Sequence, residues 1–265
     1  MRDEASAALA AEYSAKAGDY ARLWSPVIKP MGLPLLSALP LAQAQRVLDA
    51  GSGTGAFLPD LRAAAPRAAL IAIDRAEGML RARSSPRVPV AAMDLEALGI
   101  RSATIDVALL IFVLFHVPDP VQSLREIRRV LRRSGVAGLA IWGTDPGLPG
   151  LPLWKEELDR IGAPNDPRDP SLMQHARMDT PAKLRALVAD GGYPAIDIWA
   201  ARYEHACTPD SLLAIQTSCG MPMRRLAGVP AAARRACEAR VRQALEQLSE
   251  DELIYRPEVL FCVAR

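Results

Sequence analysis

Short apolar runs alternate with longer amphipathic segments between residues 46 and 142. The apolar runs predict buried strands, and the segments between them, with apolar residues at helical spacing, predict helices. The predicted strands cover 46–49, 69–73, 88–92, 106–112 and 136–142, and the predicted helices cover 56–65, 76–83 and 121–131. Strands separated by helices form βαβ units, and right-handed crossovers make them a doubly wound parallel sheet. The sequence therefore predicts an α/β fold.

The pattern changes on both sides of this alternation. Residues 3–24 predict a helix, and the prolines at 26, 30 and 34 interrupt the helical pattern before a short helix over 33–39. The later predicted elements are helices near 153–161, over 181–191 and over 209–250 with a break at 220–222, and strands over 196–205 and 258–264. We therefore expect an N-terminal helical arm over 1–40 and one domain over 41–265. The domain carries a helical cap, formed by insertions at about 143–180 and 206–253.

Composition limits the classes of function. The chain has 265 residues, half of them hydrophobic, and a formal net charge of +2. Its adjacent arginines, among them Arg224 and Arg225, are short pairs that are typical of a solvated helix surface. A nucleic-acid-binding protein usually has a larger basic face. We therefore expect no nucleic-acid partner.

Cysteine spacing and apolar run length indicate where the protein works. The four cysteines lie far apart in the sequence, so we expect free thiols in a reducing cytoplasm and no metal site. The N-terminal segment lacks the apolar stretch of a signal peptide. The longest apolar run, over 107–115, is too short to cross a bilayer. These features predict a cytoplasmic protein without a membrane partner.

A glycine-rich turn follows the first predicted strand. Asp49 ends that strand, and Gly51, Gly53 and Gly55 follow at alternate positions before the helix over 56–65. Such glycines allow a positive φ and let a ligand approach the backbone, and the helix beyond offers unpaired N–H groups. The turn therefore predicts a cradle for a small-molecule cofactor.

The spacing of the turn fits two kinds of cofactor. Gly51-x-Gly53-x-x-Ala56 also satisfies the dinucleotide fingerprint, and Asp74 would suit a ribose in either case. Asp49, however, would repel a pyrophosphate and attract a cationic group. No Tyr-x-x-x-Lys pair, typical of short-chain dehydrogenases, follows. A methyl donor is favoured, and a nicotinamide-dependent oxidoreductase remains the alternative.

Five segments together resemble the class I S-adenosylmethionine-dependent methyltransferases, in particular the ubiquinone/menaquinone-biosynthesis-like (type 11) small-molecule subgroup. The segments are 47–55, 73–80, 93–98, 105–120 and 124–131. The resemblance implies a Rossmann-like, seven-stranded sheet whose last strand is antiparallel. It also implies S-adenosyl-L-methionine as the cofactor and S-adenosyl-L-homocysteine as the product.

The resemblance also assigns roles to residues of this chain. Asp49 would hold the donor's ammonium group, Asp74 the ribose hydroxyls and Asp94 the adenine amine. The full set of implied cofactor-binding residues is Asp49, Gly51, Ser52, Gly53, Asp74, Arg75, Met79, Met93, Asp94, Leu95, Ile111 and His116.

The acceptor side of the site is less explicit in the sequence. Residues 110–113, at the end of the fourth predicted strand, are apolar and lack the Asn-Pro-Pro-Tyr type of motif of many base and amide N-methylating enzymes. This favours a small, largely apolar organic acceptor, such as a secondary metabolite or a quinone-like compound. Candidate residues are His175 and His205 as a base, and Tyr20, Trp24 and Trp142 as the acceptor-side wall. A protein of this fold that binds the donor without methylating is the third hypothesis.

Three other aromatic residues are expected to be structural. Tyr13 is predicted to pin the N-terminal arm to the rest of the fold. Phe112 and Phe115 are predicted to lie in the core, because the strand that leads to them is apolar throughout.

Overall fold

A computed structural model describes residues 2–83, 85, 87–145 and 147–265 of the chain. Met1 of the predicted arm and Pro146 of the predicted insertion lie outside these residues. The division into an arm over 1–40 and a domain over 41–265 stays a prediction. None of the described helices is both long and apolar enough to cross a membrane.

Seven strands form the central sheet, and two short strands form a second, smaller one. The nine strands of the described residues, β1 to β9 in chain order, are Arg46–Ala50, Ala69–Asp74, Val90–Ala92, Ile105–Ile111, Leu131–Trp142, Ile196–Arg202, His205–Ala206, Ile254–Tyr255 and Glu258–Ala264. The order in the central sheet is β3-β2-β1-β4-β5-β9-β6. Strand β9 is antiparallel to both neighbours, whereas the pairs from β3 to β5 are parallel. The predicted seven-stranded sheet with an antiparallel last strand is confirmed.

Helices cover both faces of the sheet. The part of the chain that the structure describes has twelve α-helices, α1 to α12: Arg2–Ala15, Ala17–Asp19, Ser25–Gly32, Pro34–Ser37, Leu58–Ala64, Glu77–Arg81, Pro120–Val130, Leu151–Arg160, Pro181–Asp190, Pro209–Ser218, Met221–Leu226 and Ala231–Leu245. A π-helical turn covers Tyr20–Trp24, and short 3₁₀ turns cover Leu41–Gln43, Leu114–His116, Pro170–Leu172 and His175–Arg177. One core cluster joins the sheet to α3, α5, α8, α10 and α12, and another joins it to α7 and α9.

Several predicted boundaries are wrong for local reasons. Pro26 and Pro30 do not interrupt the helical arm, because Pro26 lies in the first turn of α3, where no backbone donor is needed, and α3 continues past Pro30. The strand predicted over 196–205 is two strands, since β6 ends at Arg202 and β7 leaves the sheet to pair with β8. The helical region over 209–250 is broken twice instead of once.

Candidate active site

A cavity of about 500 Å³ opens at the carboxyl ends of β1, β2 and β4. Strand order reverses between β1 and β4, and such a switch point is where doubly wound sheets bind their ligands. The described walls above the sheet come from α1, the turn Tyr20–Trp24, and residues of the C-terminal helices α10 and α11. The N-terminal arm and the predicted cap therefore enclose the same space.

The turn after β1 forms the cavity floor. The N–H groups of Gly51 and Ser52 both donate to the Ile73 carbonyl oxygen, at 2.8 and 2.9 Å. Gly51 has a φ of 77°, and a Cβ there would lie 2.4 Å from a methyl carbon of Val113. Gly53 has a φ of 54°, and a Cβ there would meet no atom within 4 Å. The first glycine is thus required by packing, whereas the second leaves open space above the backbone.

Asp49 places a buried carboxylate beside this turn. Its side chain is 2% exposed, and its Oδ2 has no hydrogen-bond partner among the described residues. Burial, and then repulsion from Asp74, raises the pKa of Asp49 to about 7. The hydroxyl of Ser52 is also buried without a partner in the part of the chain that the structure describes. Unpartnered buried acceptors of this kind are costly unless a donor or a cation satisfies them.

Asp74 joins the turn to the end of β2. One carboxylate oxygen accepts from the Gly53 N–H and the other from the Ala76 N–H, each at 2.8 Å. Burial nevertheless raises the pKa of Asp74 above its usual value. The carboxylate therefore shapes the glycine turn in addition to the ribose contact predicted for it.

The adenine end predicted from the sequence is assembled around an ion pair. Arg75 and Asp94 pair at 2.6 Å, and the other Asp94 oxygen accepts from the Glu96 N–H at 2.9 Å. Met79, Met93 and Leu95 lie along the same part of the cavity wall. The structure thus brings these residues together, while their contacts with an adenine stay predictions.

Aromatic rings form the wall beyond the end of β4. Phe112 stacks on Trp142 with ring centres 4.1 Å apart, and Tyr255 contacts both Trp142 and Trp24. Phe112 has a φ of 54°, which is rare for a bulky residue and is found where surrounding structure enforces it. The prediction that Phe112 and Phe115 are core residues is incomplete, because both line the cavity.

Tyr13 and His116 both line the cavity and contact each other there. The Tyr13 hydroxyl lies 3.2 Å from His116 Nε2, and Tyr13 also makes an edge contact with Tyr20. Tyr13 therefore lines the cavity as well as pinning the arm. Among the described residues, this hydroxyl is the hydrogen-bond partner of the His116 ring.

Burial keeps both members of this pair neutral. It raises the pKa of Tyr13 to about 12. Burial, with added repulsion from Arg168 and Arg224, lowers the pKa of His116 to about 3. The pair is therefore uncharged at neutral pH.

The prediction that Arg224 and Arg225 lie on a solvated surface is wrong. Arg224 is buried against the cavity, where it pairs with Glu12 at 2.9 Å and with Asp166 at 3.0 Å. Arg225 pairs with Asp159 and donates to backbone carbonyls of the segment over 163–164. Buried guanidiniums need such partners. The partners lie far away in the sequence, so local patterning did not reveal them.

The two histidines predicted as candidate bases do not line the cavity. His175 Nε2 lies 2.9 Å from the Trp142 carbonyl oxygen, and its ring meets Phe115 edge-on. Because a carbonyl oxygen only accepts, Nε2 carries the hydrogen. His205 lies in β7, opposite Tyr255. The His175 side chain therefore supports the aromatic wall from outside the described cavity lining, whereas His205 is paired with Tyr255 as strand partners.

Every predicted cofactor-binding and acceptor-side residue lines the cavity, and their roles stay predictions. The residues brought together are Tyr20, Trp24, Asp49, Gly51, Ser52, Gly53, Asp74, Arg75, Met79, Met93, Asp94, Leu95, Ile111, His116 and Trp142. Sequence reasoning missed Arg168 and Arg224, which line the same space. A proline- and acid-rich loop and an Arg-Arg pair were the available signals, and neither points to a cavity.

Comparison with known proteins places this geometry in a family. The family model described as "Methyltransferase domain" matches residues 48–139. A ubiquinone/menaquinone biosynthesis C-methyltransferase of Syntrophotalea carbinolica is 33% identical over 109 residues, which are 39% of this chain and 46% of the relative. Residues 48–139 therefore form a class I S-adenosylmethionine-dependent methyltransferase domain. A malonyl-[acyl-carrier protein] O-methyltransferase of Dechloromonas aromatica is 32% identical over 164 residues, 62% of this chain and 57% of the relative.

The two alignments cover 46% and 57% of these relatives, so the chain spans about half the length of the curated relatives that it matches. A candidate methyltransferase from an antibiotic biosynthesis pathway of Anabaena variabilis has the same fold, with a TM-score of 0.62 at 13% identity over 89% of this chain and 96% of that one. Phosphoethanolamine N-methyltransferase 2 of Haemonchus contortus, in complex with S-adenosyl-L-methionine, has a TM-score of 0.51 at 16% identity over 89% of this chain and 52% of that one. At these identities the likeness shows the fold alone.

Proposed function

We propose that the protein transfers a methyl group from S-adenosyl-L-methionine to a small, largely apolar organic acceptor. The observation that carries this proposal is the buried Asp49 carboxylate, which has an unpartnered oxygen beside the glycine turn. A cationic ammonium group would satisfy that oxygen, whereas the pyrophosphate of a dinucleotide would be repelled by it. The residues present therefore fit the methyl donor better than a nicotinamide cofactor.

Each end of the donor has a matching part of the cavity. Asp49 would bind the ammonium group, and the backbone of Gly51, Ser52 and Gly53 would approach the methionine part through the space above Gly53. Asp74 would accept from the ribose hydroxyls with the lone pairs left by its two backbone bonds. The donor, when bound there, supplies a methyl group that its sulfonium charge already activates.

The remaining residues of the adenine end would enclose the base. Arg75 and Met79 would flank it, Met93, Asp94 and Leu95 would contact its edge, and Ile111 would lie beneath the reacting methionine end. His116 would lie near the reacting methionine end, because it follows the end of β4 in the chain.

The protein's main task toward the acceptor is to hold it close and aligned. Such positioning can lower a barrier by on the order of 7 kcal/mol. The aromatic wall of Trp24, Phe112 and Trp142 offers an apolar surface for this. The relatives named for ubiquinone/menaquinone biosynthesis and for malonyl-[acyl-carrier protein] support an acceptor that is quinone-like or another metabolite, as in natural-product biosynthesis. The spaced free cysteines support a cytoplasmic setting.

Calorimetry of ligand binding tests the proposal. We expect S-adenosyl-L-homocysteine to bind and NADH not to bind. Replacement of Asp74 by alanine removes the ribose acceptor and both backbone bonds, so S-adenosyl-L-homocysteine affinity should fall about a hundredfold. A matched control is Asp197→Ala, which removes an exposed carboxylate at the far edge of the sheet. NADH binding, or unchanged affinity in Asp74→Ala, would contradict the proposal.

A further inference from the structure

The cavity has an acidic end, at Asp49 and Asp74, and a basic corner, at Arg168 and Arg224. Arg168 and Arg224 both line it, and the Arg224 side chain is only 8% exposed. The Asp166 carboxylate pairs with both guanidiniums, at 3.0 Å in each case, but is not part of the described cavity lining. Glu12 lines the cavity and pairs with Arg224 at 2.9 Å. Glu12 and Asp166 thus hold the two guanidiniums in place. Asp166 does so from outside the cavity lining, and Glu12 from within it.

Two guanidiniums and one carboxylate of this group face the cavity. Arg168, Arg224 and Glu12 line it, whereas Asp166 does not. The charges of Arg168 and Arg224 also lower the pKa of His116, in addition to burial. A ligand atom beside the Tyr13–His116 pair would therefore have two cationic side chains nearby, which favours an anion.

Neither member of the Tyr13–His116 pair is a good proton acceptor, and the Glu12 carboxylate is already paired with the Arg224 guanidinium at 2.9 Å. His116 remains neutral and has a strongly lowered basicity, and the Tyr13 hydroxyl keeps its proton. Asp49 has a pKa near neutrality, but its place is at the glycine turn, where the donor's ammonium group is proposed to bind. An amine or an aliphatic alcohol would need a base for its proton. An acceptor that arrives already ionised would not.

We propose that the reacting atom of the acceptor is an oxygen that already carries a negative charge, held at the corner formed by Arg168, Arg224, Tyr13 and His116. The acceptor is therefore an apolar oxygen acid: a carboxylate, or the enolate of an acidic β-diketone, which is its vinylogue. This inference rests on the proposed methyl transfer and names its substrate class.

The transfer balances without a base. The oxyanion of the acceptor forms the new O–CH₃ bond, the S–CH₃ bond breaks, and its electron pair remains on sulfur. No proton moves, and one positive and one negative charge disappear together. Loss of opposite charges is favoured in a cavity that excludes water, because neither product needs the solvation that the two ions required. His116 and Tyr13 position the acceptor and do not exchange protons with it.

Binding of simple probes tests this inference. Protein saturated with S-adenosyl-L-homocysteine is titrated with octanoate, the enolate of dimedone, octan-1-ol and octylamine. We expect at least one of the two anions to bind about tenfold or more tightly than the alcohol and the amine, since only an anion can form an ion pair with Arg168 and Arg224. The tighter of the two anions identifies the kind of oxygen acid.

Variants show whether the preference comes from this corner. Arg168→Gln should lower the affinity for the preferred anion about tenfold and leave octan-1-ol within about twofold. Arg168→Lys keeps the charge and should keep the preference. Arg202→Gln, which removes an exposed guanidinium outside the cavity, is the matched control. Affinity for S-adenosyl-L-homocysteine reports that each variant is folded.

Two results would overturn the inference alone. One is equal or tighter binding of octylamine or octan-1-ol, or no binding of either anion, in protein that binds S-adenosyl-L-homocysteine. The other is an anion preference that is unchanged in Arg168→Gln. Failure of the wild-type protein to bind S-adenosyl-L-homocysteine would instead contradict the proposed function itself.

Discussion

The two ends of the cavity are built in different ways. The acidic end is made almost entirely by two neighbouring strand ends, in which Asp49, the glycine turn and Asp74 lie within 26 residues of one another. The basic corner joins Glu12 to Arg224, which are 212 residues apart, and adds His116 and Arg168 from two further loops. The acidic end is formed by one βαβ unit, whereas the basic corner forms only when folding brings distant segments of the chain together.

This difference separates what the family shares from what distinguishes its members. The family match covers residues 48–139, which contain the acidic end and His116 but not Glu12, Arg168 or Arg224. A donor common to many enzymes can be bound by a contiguous motif. Under the proposed function, the acceptor would be bound by residues outside this match, in the N-terminal arm and the cap that line the cavity.

The largest effect is expected from breaking the acidic end at Gly51. Gly51→Ala combines a positive φ with a Cβ placed 2.4 Å from Val113, so the free energy of unfolding should fall by about 3 kcal/mol. Gly53→Ala meets no atom, and its strain alone should lower the free energy of unfolding by about 1 kcal/mol. Its Cβ enters the space proposed for the donor, so S-adenosyl-L-homocysteine affinity should fall about a hundredfold. Urea unfolding and calorimetry measure the two quantities.

Gly18→Ala is the control for both glycine variants. Gly18 lies in α2 with no atom within 4 Å of a Cβ, so alanine should be neutral or stabilise by up to about 1 kcal/mol. If Gly51→Ala and Gly53→Ala proved alike in both stability and donor affinity, the distinction between a packing glycine and a ligand-facing glycine would be wrong.

The acidic end could be predicted because its chemistry is local. A strand, an acid and alternate glycines dictate a tight turn with a carboxylate beside it, whatever the rest of the chain does. Strand order and the antiparallel β9 needed the family resemblance, since apolar periodicity does not specify which strands pair.

The basic corner could not be predicted, and Arg224 shows why. An Arg-Arg pair near the end of a short helix has the pattern of a solvated surface, and the burial of Arg224 depends on Glu12 and Asp166 reaching it from other segments. Phe112 is similar, because its positive φ is imposed by tertiary structure and is unusual for its residue type. Apolar character alone therefore predicted a core position for Phe112, which lines the cavity.

A smaller effect is expected from protonation of Asp49. Its pKa of about 7 means that the free protein binds a proton there more tightly than the unfolded chain, whose Asp has the ordinary value of 3.8. Its contribution to the free energy of unfolding should therefore decline as pH rises from about 4 to about 7. Donor binding needs the ionised form, so affinity for S-adenosyl-L-homocysteine should rise with pH, by up to about tenfold per unit below pH 7.

Asp49→Asn separates this group from the other titrating residues. The asparagine keeps the size of the side chain and has no proton to gain, so both pH trends should flatten relative to the wild type. Calorimetry and urea unfolding from about pH 5 to about pH 8 measure them. Parallel trends in the two proteins would mean that Asp49 does not hold the ammonium group, whatever else binds the donor.

The smallest effect is expected at His175, where a supporting role and a catalytic role give different results. Nε2–H of His175 donates to the Trp142 carbonyl oxygen, and the ring lies outside the described cavity lining. His175→Gln retains an N–H donor, so kcat should fall no more than about threefold, with the pH dependence of kcat retained. His175→Ala removes the donor and should raise the acceptor KM a few-fold through the loosened Trp142 wall. Loss of a general base would instead reduce kcat by about 10²–10⁴-fold in both variants and remove one pKa from the profile. That outcome would return His175 to the reaction and would also weaken the argument that the acceptor arrives ionised.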